Sequence, residues 1–403
     1  MDKENLILDA ERERRLAAAR RIVVKVGTST VTAAEGQFSP QRVGPIVRSI
    51  ANLVKSGRQV VLVSSGAIGL GRGWLGLHPS RLHDMVTKQA CAAVGQSLLM
   101  DAYKSLFSGW SLKIAQVLLT EEDFSNWRRY SNLRRTMEKL LGFGIVPIVN
   151  QNDTVSTAEI ETIGGHGRAA AFSDNDRLAA LVMSGLEADA LVLVTNVEGL
   201  LRKGPPGAST HSQSSKSTDL IPLVGEITPD LKAVAAGPSS NGRGGMATKL
   251  EAAEIAMDCG GIAVIVNGQK ESVLDQIFAG QRIGTAFLSS KRIRGKRRWI
   301  VHAAGVRGRV VVDGGAQQAI LKGKASLLTS GIVRVEGHFA PMDVVSILDH
   351  DGREFARGIA NYASAQAQEE VAGKRVHSVK ERGVAASRIL VRRDNIVLLR
   401  HSQ

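Results

Sequence analysis

Short β-branched runs alternate with stretches of helical periodicity from the N-terminus to Thr285, and no other feature of the chain restricts its architecture as much. The runs at 21–26, 59–63, 113–118, 145–149, 190–194 and 262–266 are largely apolar, which predicts strands buried on both faces. Between them lie helical patterns: at 85–107, Val94, Leu98, Ala102 and Leu106 recur every four residues and predict one buried stripe. Strand and helix in regular alternation predict an α/β fold, with a mostly parallel central sheet covered by helices on both faces. In such sheets ligands collect at the carboxyl ends of the strands.

The pattern changes near Ser289. A basic stretch with Lys291, Arg292, Arg294, Lys296, Arg297 and Arg298 is followed by short runs at 299–301, 306–312, 330–335, 343–348 and 354–360, separated by glycines and charged turns. These predict a small β-rich domain. The segment 203–219 combines Gly-Pro-Pro-Gly with many serines and reads as a mobile surface loop within the first domain.

With 403 residues the chain can bury more than one core, and 43% hydrophobic with 22% charged residues describes an ordinary globular protein. The longest apolar runs are strand-sized, far short of the ~20 residues that span a bilayer. The stretch 1–21 is charged and helical in pattern without an apolar segment, so the expectation is a cytoplasmic protein with no secretory signal and no membrane partner. Cys91 and Cys259, both among small apolar residues, read as buried thiols and exclude a disulfide scaffold or a cysteine-built metal site. The net charge of +14 comes from 52 Lys and Arg against 38 Asp and Glu. Its basic run reads first as a solvated linker, and 4% aromatic residues are too few for base-stacking platforms.

Chemistry-bearing residues gather where the predicted strands end. The first strand runs into Lys25-Val26-Gly27-Thr28-Ser29, and a lysine in an apolar strand needs an anionic partner, whether a carboxylate of the protein or a ligand. The second ends in Ser64-Ser65-Gly66-Ala67-Ile68-Gly69, a turn that either packs tightly or presents N–H groups and a hydroxyl to an anion. Asn150-Gln151-Asn152-Asp153 follows the fourth strand, and Ser173-Asp174-Asn175-Asp176 precedes a helix. Their side chains could cap that helix, grip an amino group, hold water around Mg²⁺ or orient lysines. Thr195-Asn196 ends another strand and could touch a nucleotide. Asn241-Gly-Arg-Gly-Gly-Met-Ala-Thr-Lys249 runs from a glycine-rich turn into a helix, the arrangement that cradles phosphate, although the Walker spacing is absent. No Ser-His-Asp order, His-Glu-x-x-His helix or cysteine cluster competes. Two lysines, two anion-binding turns and two Asn/Asp clusters at one sheet edge suit phosphoryl transfer, where positioning and charge neutralisation supply most of the catalysis.

Six motifs in this order resemble the glutamate 5-kinase branch of the amino acid kinase family: Lys25-Val-Gly-Thr-Ser, Ser64-Ser-Gly-Ala-Ile, Ala93-Val-Gly-Gln, Asn150-Gln-Asn-Asp153, Ser173-Asp-Asn-Asp176 and Gly244-Gly-Met-Ala-Thr-Lys249. The resemblance runs from about 20 to 375 and includes a region similar to a PUA domain. It divides the chain into an N-terminal extension (1–20), a kinase domain (21–288), a basic linker (289–298), a PUA-like domain (299–380) and a C-terminal tail (381–403). It implies transfer of the ATP γ-phosphoryl group to the side-chain carboxylate of L-glutamate, the first step of proline biosynthesis. It also implies Mg²⁺ as the partner of ATP, proline as a feedback inhibitor and a homo-oligomer. Residue by residue, Lys25, Lys249 and Asp176 take catalytic positions, the lysines on the ATP phosphates and Asp176 orienting them. Ser65, Gly66, Ala67, Asp153 and Asn175 match the glutamate positions, and Lys25, Thr195, Asn196, Arg243, Gly244, Gly245, Met246, Ala247, Thr248 and Lys249 match the nucleotide side. No direct metal ligand is implied.

The chain departs from the family at three places. Asn196 stands where Asp is usual, Arg243 stands where Thr is common, and residues 161–172 lengthen the link between the two Asn/Asp clusters, beside the glutamate positions. The extension at 1–20 matches nothing in the family pattern. A secondary reading, RNA binding by the PUA-like domain, rests on the positive charge alone.

Overall fold

A computed structural model describes residues 3–33, 35–82, 84–120, 122–155, 175–202, 220–235, 245–288, 295–302, 306–323, 325–371 and 389–399. The expected mobile loop at 203–219, the insertion at 161–172 and the glycine-rich stretch up to residue 244 lie outside the described residues. Contacts divide the chain into two units, Met1–Thr120 with Arg135–Arg292 and Glu121–Arg134 with Ile293–Gln403. Among the described residues no helix is long and apolar enough to cross a membrane.

The first unit is built on eight strands: β1 (Arg21–Val26), β2 (Gln59–Ser64), β3 (Ile114–Leu119), β4 (Val146–Gln151), β5 (Ala190–Thr195), β6 (Leu223–Val224), β7 (Ile262–Asn267) and β8 (Thr285–Leu288). Their order is β3-β4-β2-β1-β5-β7-β8-β6, with every pairing parallel except β7 with β8. The six apolar runs all become strands, with ends shifted by a residue or two. β6 and β8 were not anticipated, because two and four residues are too few to show a period. Ile22, Val24 and Val26 of β1 join one core with Ile46, Ile50, Leu99 and Phe107. Alternation along the strand therefore turns Val23 and Lys25 to the opposite face.

The helix Met85–Ser108 starts at Asp84, whose carboxylate accepts the Thr87 N–H at 2.7 Å. The expected stripe of Val94, Leu98, Ala102 and Leu106 is only half-buried; the buried residues are Cys91, Ala92, Gly95, Gln96, Leu99, Tyr103 and Phe107. Two glycines turn the helix this way. A Cβ on Gly95 would lie 1.7 Å from the Ala67 carbonyl oxygen, and one on Gly71 would lie 1.8 Å from that of Cys91. Helices Ala67–Trp74 and Met85–Ser108 thus meet backbone to backbone, and that contact outweighs the pull of the larger apolar side chains on the neighbouring face.

The N-terminal extension is a helix, Lys3–Ala18, that belongs to the first unit's core through Leu16. The buried Arg12 guanidinium donates to the Gln281 carbonyl, and Arg282 pairs with Asp9 at 3.2 Å. On its outer side, hydrogen bonds from Arg14 and Arg15 hold the Glu11 carboxyl down at about 2.

The second unit carries β9 (Gly308–Val312), β10 (Leu327–Leu328), β11 (Ile332–Gly337), β12 (Val344–Leu348), β13 (Glu354–Ala360) and β14 (Ile389–Leu398), in the order β10-β14-β13-β12-β9-β11. Two expectations fail here. The run at 299–301 is not a strand; it lies in the helix Gly295–His302. The stretch 381–403, expected to be a tail, contains β14, which pairs with both β10 and β13 and buries Leu390 and Val391. Exposed Arg392, Arg393 and Asp394 interrupt its alternation, beside a register shift in β13, and so hide the strand from a period-two reading.

Segment Glu121–Arg134 explains the helix at Trp299. The indole N–H donates to the Phe124 carbonyl at 2.8 Å, and the ring centroid lies 5.0 Å from that of Trp127 and 5.6 Å from that of Tyr130. Asn126 forms a bridge with Asp343, its amide donating to the Asp343 carboxylate at 3.0 Å. Residues remote in sequence thus override the β-propensity of a Trp-Ile-Val run. Trp299→Ala is expected to remove about 3–5 kcal/mol of stability from the second unit. Urea unfolding followed by far-ultraviolet circular dichroism measures the loss, and an unchanged midpoint contradicts the assignment.

Candidate functional site

β1, β2, β4 and β5 lie next to one another in the centre of the first sheet, so the residues at their carboxyl ends converge. Lys25 is the penultimate residue of β1 and is buried. Its Nζ lies 2.7 Å from Oδ1 of Asp176, in the first turn of the helix Asn175–Leu186. The other carboxylate oxygen, Oδ2, receives Nζ of Lys249 at 3.0 Å and lies 3.1 Å from the Thr248 hydroxyl, which shares its proton with the Gly245 carbonyl at 2.9 Å. Asp176 is 0% exposed, with Lys25 at 4% and Lys249 at 7%. One buried carboxylate thus holds two buried ammonium groups in place. Two cations gathered at the sheet edge suit an arriving anion.

Two helix N-termini flank this charge. The helix Met246–Asp258 starts at Gly245 and the helix Ala67–Trp74 at Gly66, and neither cap has a side chain to occupy the first N–H groups. Gly66 is at φ 105, a conformation that disfavours any residue with a Cβ, and a Cβ there would come within 2.9 Å of Val31.

Beside the lysines stands a wall of amides. The Asn175 amide nitrogen lies 2.9 Å from the Ser64 carbonyl, 2.9 Å from the Ser65 hydroxyl and 3.0 Å from Oδ1 of Asn150. Asn150 in turn donates to Oε1 of Gln96 at 2.9 Å. Behind it the Ser64 hydroxyl meets the Tyr103 hydroxyl at 2.8 Å. Burial pushes the Tyr103 phenol well above its usual range, and the Ser64 hydrogen bond offsets this only in part, so the pair stays neutral. Asp153 is half-buried in the turn after β4, which the Asn152 N–H closes on the Leu119 carbonyl at 2.8 Å.

The predicted positions Lys25, Asp176, Thr248 and Lys249 thus share one network, and Ser65 and Asn175 share a second one beside it. On the nucleotide side, Thr195 is half-buried with its hydroxyl 3.3 Å from Oδ1 of the exposed Asn196. Gly245, Met246 and Ala247 line the start of their helix with part of their surface open, whereas Arg243 and Gly244 lie outside the described residues. Asn150 and Gln96 were not assigned from sequence. Both sit inside motifs shared with the family, but nothing local marks an amide as pointing inward. Among the described residues no group of three or more His, Cys, Asp or Glu side chains is placed to hold a metal ion.

The sequence model of the amino acid kinase family matches residues 20–267, and that of the PUA domain matches residues 308–382. The chain belongs to the amino acid kinase family. Relatives of this amino acid kinase include a protein named glutamate 5-kinase from Caldanaerobacter subterraneus subsp. tengcongensis, 42% identical over 95% of this chain and 99% of its own. Two others with the same name are those of Moorella thermoacetica, 42% identical over 96% of this chain and 99% of its own, and of Myxococcus xanthus, 42% identical over 95% and 97%.

In this amino acid kinase, Asp176→Asn leaves two buried ammonium groups facing a neutral amide. Breaking a buried ion pair in this way is expected to cost about 3–5 kcal/mol. Adding Lys25→Met to Asp176→Asn removes one of the two buried ammonium groups, so the double variant regains part of the loss in urea unfolding.

Proposed function

We propose that this amino acid kinase is a glutamate 5-kinase, transferring the ATP γ-phosphoryl group to the side-chain carboxylate of L-glutamate to give L-glutamyl 5-phosphate, the first step of proline biosynthesis. The observation that carries the reading is the buried Lys25–Asp176–Lys249 cluster beside an amide wall. The relatives of the same name, similar over nearly their whole length, support it.

In this reading a carboxylate oxygen of glutamate attacks the γ-phosphorus in line, a P–O bond forms, and the bond to ADP breaks with its electron pair leaving on the ADP oxygen. The attacking carboxylate is already ionised, so no general base is required. Lys25 and Lys249 neutralise charge on the migrating group, and Asp176 holds the two ammonium groups at fixed separation, so little reorganisation accompanies transfer. N–H groups at the start of Met246–Asp258 take ATP phosphates, and Thr195, Asn196, Arg243 and Gly244 match nucleotide positions of the family pattern. Ser65, Asn175 and the N–H groups of Gly66 and Ala67 receive the glutamate, and Asp153 supplies the negative charge that suits its α-ammonium group. Mg²⁺ enters as the partner of the ATP phosphates; Asp176, already held by two lysines, is not assigned as its ligand. The reading carries with it a cytoplasmic location, a homo-oligomer and feedback inhibition by proline.

The purified chain is expected to consume ATP only with L-glutamate and Mg²⁺, giving an acyl phosphate trapped by hydroxylamine. Lys249→Ala is expected to lower kcat by roughly 10²–10³-fold with an unchanged circular dichroism spectrum. Binding of both ligands without any acyl phosphate, or a preference for aspartate or N-acetylglutamate, defeats the reading.

A further inference from the structure

The motif Ala93-Val94-Gly95-Gln96 takes no part in the chemistry above, yet the fold delivers its last residue to the amide wall. Because Gly95 meets the Ala67 carbonyl with no room for a Cβ, the helix Met85–Ser108 brings residue 96 alongside the turn that holds Ser65, Gly66 and Ala67. Gln96 is 8% exposed.

The orientation of its amide follows from its neighbours. Oδ1 of Asn150 accepts two donors, the Gln151 N–H at 2.8 Å and the Asn175 amide at 3.0 Å. The Asn150 amide nitrogen must therefore face Gln96, and Gln96 must answer with its oxygen, at 2.9 Å. Flipping Gln96 would set two amide nitrogens against each other. Its Nε2 is then fixed away from Asn150, buried, and without a hydrogen-bond partner among the described residues. A buried amide donor left unpaired is destabilising, and nearly all buried polar groups in folded proteins have a partner.

We propose that Gln96 is a substrate-binding residue whose Nε2 donates to a carboxylate oxygen of the bound amino-acid substrate, while its Oε1 sets the Gln96–Asn150–Asn175–Ser65 relay. The inference rests on the glutamate 5-kinase reading and adds to it a donor on the amino-acid side. No acceptor meets Nε2 among the described residues and a substrate carboxylate oxygen would supply one, so the contact contributes to glutamate affinity and leaves ATP affinity alone.

Gln96→Glu separates the two functions of the side chain, because it keeps an acceptor for Asn150 and replaces the donor with an anionic oxygen. It is expected to raise KM for L-glutamate at least tenfold at pH 8, with KM for ATP unchanged. The deficit shrinks toward pH 6, as the introduced carboxyl gains a proton and can donate again. Wild-type kinetics in Gln96→Glu overturn the proposal, as does an equal rise in both KM values. If that variant does not fold, the side-chain amide resonance of Gln96 in ¹⁵N-labelled wild type decides. It is expected to shift on titration with L-glutamate and to stay in place with ADP, and no shift with saturating L-glutamate overturns the proposal. A wild-type protein without glutamate-dependent ATP consumption defeats the glutamate 5-kinase reading itself, an outcome distinct from an active wild type with a silent Gln96.

Discussion

The Asp176 carboxylate sits at the junction of three elements. Lys25 comes from β1, Asp176 from the start of Asn175–Leu186 and Lys249 from the first turn of Met246–Asp258. Any one of these charges buried alone would be costly, and here one carboxylate meets both ammonium groups. The geometry of the sheet's carboxyl edge depends on that pairing, which fixes how two helices stand against β1. The same arrangement gathers two ammonium groups at one edge, which suits the charge of a transferred phosphoryl group.

A second constraint is steric. Gly71 and Gly95 remove the side chains that would keep helices Ala67–Trp74 and Met85–Ser108 apart. The close approach carries Gln96 into the polar wall and pulls Tyr103 beneath Ser64. Charge cluster and amide wall thus have different physical origins, electrostatic on one side and backbone contact on the other. They meet at consecutive residues: Asn175 joins the wall and Asp176 the lysines. A shift of that one helix start would be felt on both sides.

In the second unit, the stretch Glu121–Arg134, which lies within the part of the sequence that matches the kinase family, clusters with the C-terminal residues. Glu122 shows how closely it is integrated: its carboxylate pairs with Arg307 at 2.9 Å and with Arg129 at 3.0 Å, and hydrogen bonding to Arg307 is the largest cause of its lowered pKa. The PUA match at 308–382 therefore covers only part of the unit, since β14 and the Trp299 aromatic cluster fall outside it.

The alternation of β-branched runs and helical periods determined the parallel sheet, because burial on both faces writes a continuous apolar signal into each strand. The strand-end positions of Lys25, Asn150 and Thr195 determined which edge of the sheet would carry chemistry. Local pattern could not decide which partners meet. That Lys25 and Lys249 share Asp176, that Asn150 reaches Gln96, and that Trp299 turns helical against Phe124 and Trp127 are outcomes of contacts between residues far apart in the chain. The buried face of Met85–Ser108 was misjudged for the same reason. Periodicity reports how many apolar groups a helix offers, while the tightest backbone contact, here at two glycines, decides which side is covered.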